Sequence, residues 1–215
     1  MDCNTYQVII FDCDGVLIDA NNLKLAAAER ILEAYPKDAV AAFIDHFRRS
    51  FGRSRYDLFR EFIEQFLKQP FDQELYDAFI EAYGEKCLEL YKESPVIEGV
   101  SAFLEKYKDK DLYVASGGIE SELKAVLHAR GLGHYFNKIY GSPPSKKENV
   151  ARIVADHPGV NALMVGDAHT DFEAAQASKI DFLFCSKYTT DGPGMEALQQ
   201  QYGFHSVDTL ERLLD

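Results

Sequence analysis

The sequence predicts an α/β protein, a doubly wound parallel sheet whose first strand is followed by an all-helical insertion. Three observations lead there. Short, β-rich apolar runs recur along the chain, helical patterns separate them from residue 99 onward, and between residues 20 and 93 only helical faces occur.

The first run is "QVIIF" (7–11), apolar enough to be buried on both faces. After it, four successive helical faces are spaced at i, i+3 or i+4: Leu23, Ala27, Ile31 and Tyr35; Val40, Phe43 and Phe47; Leu58, Phe62 and Phe66; Tyr76, Phe79, Tyr83 and Cys87. This insertion carries 13 of the chain's 27 aromatic residues, which predicts that it builds a small core of its own. Pro95 and Gly99 in "SPVIEGV" mark the return to the sheet. The remaining strands are read at "LYVA" (112–115), "KIY" (138–140), "ALMV" (162–165) and "FLF" (182–184). Together they make a Rossmann-like core of residues 1–19 and 94–215, with the helical domain at 20–93. In the tail, Gly192, Pro193 and Gly194 are expected to form a turn. A short helix, an extended piece and a final helix from about Val207 come after it.

A chain of 215 residues, 47% of them hydrophobic, suits one domain with an insertion. No run approaches the ~18 apolar residues of a membrane helix, and "MDCNTYQVII" is not a basic leader with a long apolar stretch. Cys3, Cys13, Cys87 and Cys185 form no CxxC pair, so neither zinc nor a disulfide framework is indicated. A cytoplasmic protein without a membrane partner is expected. The net charge of −12 is the wrong sign for binding nucleic acid through its phosphates. Small phosphorylated molecules remain compatible with it, since a bound cation can reverse the local field.

Chemistry concentrates at the predicted strand ends, where open α/β sheets bind ligands. In "IIFDCDGVLID", Asp12 and Asp14 follow the first strand two positions apart, facing the same way if the segment is extended. Adjacent carboxylates repel unless a cation or proton intervenes. "LMVGDAHTDFEAA" puts Asp167 and Asp171 on one face at the start of a helix, with Gly166 allowing close backbone approach. Four converging carboxylates form an all-oxygen site, which favours Mg²⁺ over zinc. Ser116, Gly117 and Gly118 offer a hydroxyl and open N–H groups to phosphate oxygens, and Lys146 or Lys147 offers a cation. His169 is read as a surface loop residue and Cys13 as a small buried hydrophobe. Arg48, Arg49, Arg53, Arg55 and Arg60 cluster around Gly52, a predicted bend between two insertion helices. Arg53 and Arg55 are the candidates for a second polar group of a substrate.

In order along the chain, these motifs resemble those of the haloacid dehalogenase superfamily: DxD, a Ser or Thr, a Lys, then GDxxxD. The resemblance spans Asp12 to Asp171, and residues 20–93 sit where that family inserts a helical cap. It implies a Mg²⁺-dependent phosphatase that hydrolyses a small phosphorylated metabolite through an aspartyl-phosphate on Asp12. Asp14 would be general acid and base and would bind the metal through its carbonyl. Asp167 would be a further ligand, and Asp171 would order metal-bound water or the lysine. Ser116, the amides around Gly117 and the lysine would stabilise phosphoryl charge. The family's phosphoserine phosphatase pattern favours Lys146, with Val150 and Ile153 following it at the matching spacing. Asp14 separates the chain from the dehalogenase and phosphonate-hydrolase branches. Sugar phosphomutases of the family carry Thr and His where Ala20 and Lys24 stand here. A phosphomutase and a non-catalytic phosphate- or partner-binding module are the alternatives on this scaffold, as monomer or homodimer.

Overall fold

The computed structural model describes residues 1–214. Strand β1, Val8–Phe11, is apolar throughout and wholly buried. Alternate side chains of a strand leave on opposite faces, so such a strand must be covered on both sides. Ile9 and Phe11 enter one apolar cluster, and Val8 and Ile10 enter another across the sheet. β1 pairs in parallel with β2 (Asp111–Ile119) on one side and β4 (Ala162–Gly166) on the other. With β3 (Lys138–Ser142), β5 (Asp181–Cys185) and β6 (His205–Val207), the order is β3-β2-β1-β4-β5-β6, all parallel. The winding reverses between β1 and β4, the crevice where such sheets bind ligands. Asp12 directly follows β1 and Asp167 directly follows β4, so the topology sets the two carboxylates side by side.

Between β1 and the rest of the sheet run α1 (Asn21–Ile31), α2 (Lys37–Arg49), α3 (Arg55–Glu61) and α4 (Gln73–Tyr91). Ser54 and Asp72 cap α3 and α4 by accepting from the backbone N–H of Asp57 and Leu75. α3 runs into a π-helical turn, Phe62–Phe66, which buries Phe62 and Ile63. Ring centroids lie 4.8 Å apart for Phe43 and Phe62, 5.6 Å for Phe59 and Phe79, and 5.2 Å for Phe59 and Tyr83. Each such pair adds about 0.5–1.5 kcal/mol beyond burial. α5 (Val100–Lys106) and α6 (Glu120–Ala129) cover the same sheet face as the insertion. α7 (Lys146–Ala155), α8 (His169–Ser178) and α9 (Gly192–Tyr202) cover the other.

Several expectations need correction. The insertion's aromatic residues are not a separate core: they belong to the same apolar cluster as Phe11, Phe103 and Leu112. Leu17, Ile18 and Leu25, in the segment after β1 and in α1, join that cluster. Leu23 is 36% exposed, because α1 buries Asn21, Lys24, Leu25, Ala27 and Ala28 instead. β2 extends through Gly117 and Gly118 to Ile119, with a shift of register against β3. Gly192 to Gly194 open α9 rather than precede it. Asp191 caps that end, and a proline is tolerated in a first helical turn, whose N–H groups lack intrahelical acceptors. Val207 ends β6, and the expected final helix is only a 3-10 turn, Leu210–Leu213. Among the described residues no helix is long and apolar enough to cross a membrane, and all four cysteines are buried and unpaired.

Candidate active site

Three carboxylates, Asp12, Asp167 and Asp171, meet at the ends of β1 and β4 with an oxygen of each within 4.8 Å of the others. All are buried, and so is Lys146, whose Nζ lies 3.1 Å from Asp12 Oδ1 and 2.5 Å from Asp171 Oδ1. Local sequence explains the convergence. Ser145 and Glu148 form a capping box that starts α7, which makes Lys146 its first residue. Asp171, in the first turn of α8, accepts from the N–H groups of Asp167 and Ala168 at 3.2 and 3.0 Å. A Cβ on Gly166 would stand 2.2 Å from that of Asp171, so the close approach needs glycine. Lys147 is exposed.

The electrostatics are unbalanced. Burial, reinforced by Asp171 and Asp14 against the pull of Lys146, pushes the Asp12 carboxyl up to about 7. Burial, then Asp12 and Asp171, raises Asp167 well above the carboxylate range. Burial alone would lower Lys146, but Asp12 and Asp171 outweigh it and hold the ammonium charged. Asp12 Oδ1 and Asp167 Oδ1 have no hydrogen-bond partner; the contact of Asp12 with Lys146 has ion-pair distance without hydrogen-bond geometry. Buried carboxylate oxygens left bare are costly, and a hard cation is the partner that suits them.

Asp14 departs from the expected set of four. Its carboxylate lies outside this group and turns towards the insertion, where Lys24 Nζ donates to Oδ2 and Tyr91 OH donates at 2.8 and 3.0 Å. A cation and a hydroxyl satisfy it there, so it has no need of the metal position. Asn21 Nδ2 donates 2.7 Å to Asp167 Oδ2 and 3.0 Å to Tyr188 O. Lys24, Tyr91 and Asn21 went unread as site residues. Asn21 and Lys24 lie three apart on α1, the polar signal on a helix face that also buries Ala28. Tyr91 continues the Phe79, Tyr83, Cys87 series by one more turn.

A cavity of about 40 Å³ opens at this point, lined by Asp12, Asp14, Lys24, Arg55, Ser116 and Gly117 among others. That is space for roughly three water-sized groups. Ser116 Oγ accepts from Gly118 N at 3.3 Å. Arg53 and Arg55 both line the cavity, each already engaged. Arg53 pairs with Glu61 at 3.0 and 2.6 Å, and Arg55 with Glu122 of α6 at 3.1 and 2.6 Å. Arg48 is exposed, Arg49 pairs with Asp45 at the surface, and Arg60 lies 4.2 Å over the Phe71 ring. His169 is exposed beside Glu173 but opens α8 instead of lying in a loop, whereas Cys13 is fully buried in the core, as expected for it.

The loop between α2 and α3 closes the cavity. Thr170 Oγ1 donates to Phe51 O at 2.7 Å, and Gly52, at φ +87°, leaves only 1.9 Å between a would-be Cβ and Thr170 Oγ1 and 2.8 Å to Lys146 Nζ. Gly52→Val is therefore expected to push the loop off Lys146. Turnover at this cavity is expected to fall by about 100-fold, with the helices intact by circular dichroism.

A model of the haloacid dehalogenase-like hydrolase family matches residues 9–185. The chain is 30% identical over 183 residues to the phosphoglycolate phosphatase of Aquifex aeolicus (strain VF5), covering 79% of this chain and 80% of that protein. It is similar in structure to a predicted phosphatase from Clostridium acetobutylicum, with a TM-score of 0.75, 22% identity and coverage of 97% and 96% of the two chains. A hydrolase of the haloacid dehalogenase-like family from Streptococcus pneumoniae matches with a TM-score of 0.71 and 18% identity over 98% of both chains. At those identities the structural likeness speaks for the fold.

Proposed function

The chain belongs to the haloacid dehalogenase-like hydrolase family, and from that premise we propose that it is a Mg²⁺-dependent phosphatase acting on a small phosphomonoester. One observation carries the reading: the buried carboxylates of Asp12 and Asp167 each keep a bare oxygen within one cluster of acids, and Asp12, paired with Lys146, also lines a cavity with room for roughly three water-sized groups.

Asp12 and Asp167 would hold the metal, with the main-chain carbonyl of Asp14 and, through water, Asp171. Bound there, Mg²⁺ supplies positive charge against the carboxylates and the phosphoryl oxygens. Asp12 attacks phosphorus to give an aspartyl-phosphate as the ester P–O bond breaks. Asp14, carrying a proton on Oδ1, the oxygen that Lys24 does not hold, gives it to the leaving oxygen and regains one from the water that hydrolyses the intermediate. Lys146, Ser116 Oγ and the N–H groups of Gly117 and Gly118 balance charge on the transferring oxygens. Asp171 steers Lys146 with one oxygen and ties down the start of α8 with the other. The residues 20–93 act as a cap that excludes water, and Arg53 and Arg55, fixed by Glu61 and Glu122, are pre-set for a polar group of the substrate. The relative from Aquifex makes phosphoglycolate the first substrate to try.

The test is phosphate release from phosphoglycolate, sugar phosphates, nucleotides and an aryl phosphate, with Mg²⁺ or EDTA. Release that requires the metal is expected; a full panel with no release overturns the reading. Metal binding also has a predictable pH dependence. In the metal-free protein the raised Asp12 carboxyl keeps its proton up to about pH 7, whereas the unfolded chain loses it near pH 4, so this group costs stability as pH rises between the two. Mg²⁺ must displace that proton, so its affinity increases with pH. The rise in melting temperature on adding Mg²⁺ is expected to be larger at pH 8 than at pH 6; an equal rise contradicts it.

A further inference from the structure

We infer that Lys24 and Tyr91 are positioning residues that aim the Asp14 carboxylate at the leaving oxygen, so that the helical insertion supplies the geometry of proton transfer while the sheet supplies that of attack. The inference rests on the acid and base role proposed above for Asp14.

The division is visible in where each side chain originates. Asp12, Lys146, Asp167 and Asp171 all come from the ends of β1 and β4 or the starts of α7 and α8, and they hold one another. Asp14 comes from the turn after β1, yet its carboxylate is held by α1 and α4. Lys24 Nζ donates to Oδ2, and Tyr91 OH, shared between both oxygens at 2.8 and 3.0 Å, fixes the plane. Asp14, Lys24 and Tyr91 are buried, and the Lys24 ammonium also lies 4.7 Å over the Tyr91 ring. Turning the carboxylate away would strand a buried ammonium and a buried hydroxyl, so the surroundings enforce one orientation. Lys24 lines the cavity together with Asp14, whereas Tyr91 is not among the lining residues. Tyr91 therefore acts on a bound substrate without touching it, through Asp14 and the Lys24 ammonium that holds Asp14, which makes it the cleaner probe.

The test is kcat/KM for a series of substituted phenyl phosphates, from 4-nitrophenyl phosphate, whose leaving group departs without a proton, to phenyl phosphate and an alkyl phosphate, which need one. This ratio reports the steps up to cleavage of the P–O bond and leaves out hydrolysis of the intermediate. Lys24→Met and Tyr91→Phe are expected to lower phenyl and alkyl phosphate turnover by about 30-fold or more and 4-nitrophenyl phosphate by under about 3-fold. Asp14→Asn is expected to steepen the same series further. A uniform loss across the series in Lys24→Met and Tyr91→Phe, with Asp14→Asn still steepened, overturns the positioning role and leaves proton transfer by Asp14 standing. An unsteepened Asp14→Asn series removes that role and the inference with it. If Lys24→Met does not fold, Tyr91→Phe, which deletes one hydroxyl, carries the comparison alone.

Discussion

Asp12→Asn is expected to abolish phosphate release from every substrate, by about 10⁴-fold or more, because an amide nitrogen and its carbonyl cannot replace the attacking carboxylate oxygen. The stability outcome runs the other way. Asp12 is one of three buried acids sharing a single ammonium, and Lys146 keeps Asp171 at 2.5 Å when Asp12 becomes neutral. Removing one like charge relieves repulsion, so the metal-free variant is expected to melt no lower than the parent at pH 8. The two readings together separate chemistry from folding: an inactive variant that also melted far lower would mean that Asp12 holds the fold together, and residual turnover above about 1% would place the nucleophile elsewhere.

Lys146→Met is the second large effect, and it carries a stability cost. The substitution keeps most of the apolar stem but takes the ammonium from Asp12 and Asp171, leaving buried charges without a partner. Breaking a buried pair from one side costs about 3–5 kcal/mol. Without Mg²⁺ the loss is expected to be greatest at pH 8 and to shrink towards pH 6, as Asp12 takes up a proton in place of the lost cation. Turnover is expected to fall about 10³-fold with the charge that faced the phosphoryl oxygens. Chemical denaturation at the two pH values and a phosphatase assay measure both. Lys147→Met, at an exposed neighbour, is expected to change stability by less than about 0.5 kcal/mol and turnover little, which would decide between the two lysines.

Much of this architecture could be read from local pattern. A strand apolar at every position, as at Val8 to Phe11, has to be central and covered on both faces. Acidic residues placed directly after two such runs had to arrive at one edge of a parallel sheet. The family's spacing to Val150 and Ile153 favours Lys146 over Lys147, and the structure makes Lys146 the first residue of α7, behind a capping box of Ser145 and Glu148. Gly52, read as a bend, does sit at positive φ between α2 and α3. Where the reading failed, neighbours distant in sequence decided. The insertion's core and that of the sheet form one cluster, in which Phe43 and Phe62 share a core with Phe103 and Leu112, and Leu23 lost its place on the buried face because Asp167 and Asp14 hold Asn21 and Lys24 there.

The sequence by itself therefore determined the elements, their order and the carboxylates that come after the strands, since strand period, capping and motif spacing act over a few residues. Only the tertiary structure decided which charge each acid meets. Asp14 finds a tyrosine 77 residues away and Asp167 an asparagine 146 residues away, while Arg55 spends its charge on Glu122 across the boundary between insertion and sheet. Such pairings result from burial: a charge taken out of water must be matched by whatever donor the packing brings within about 3 Å, and that choice is made by the whole fold.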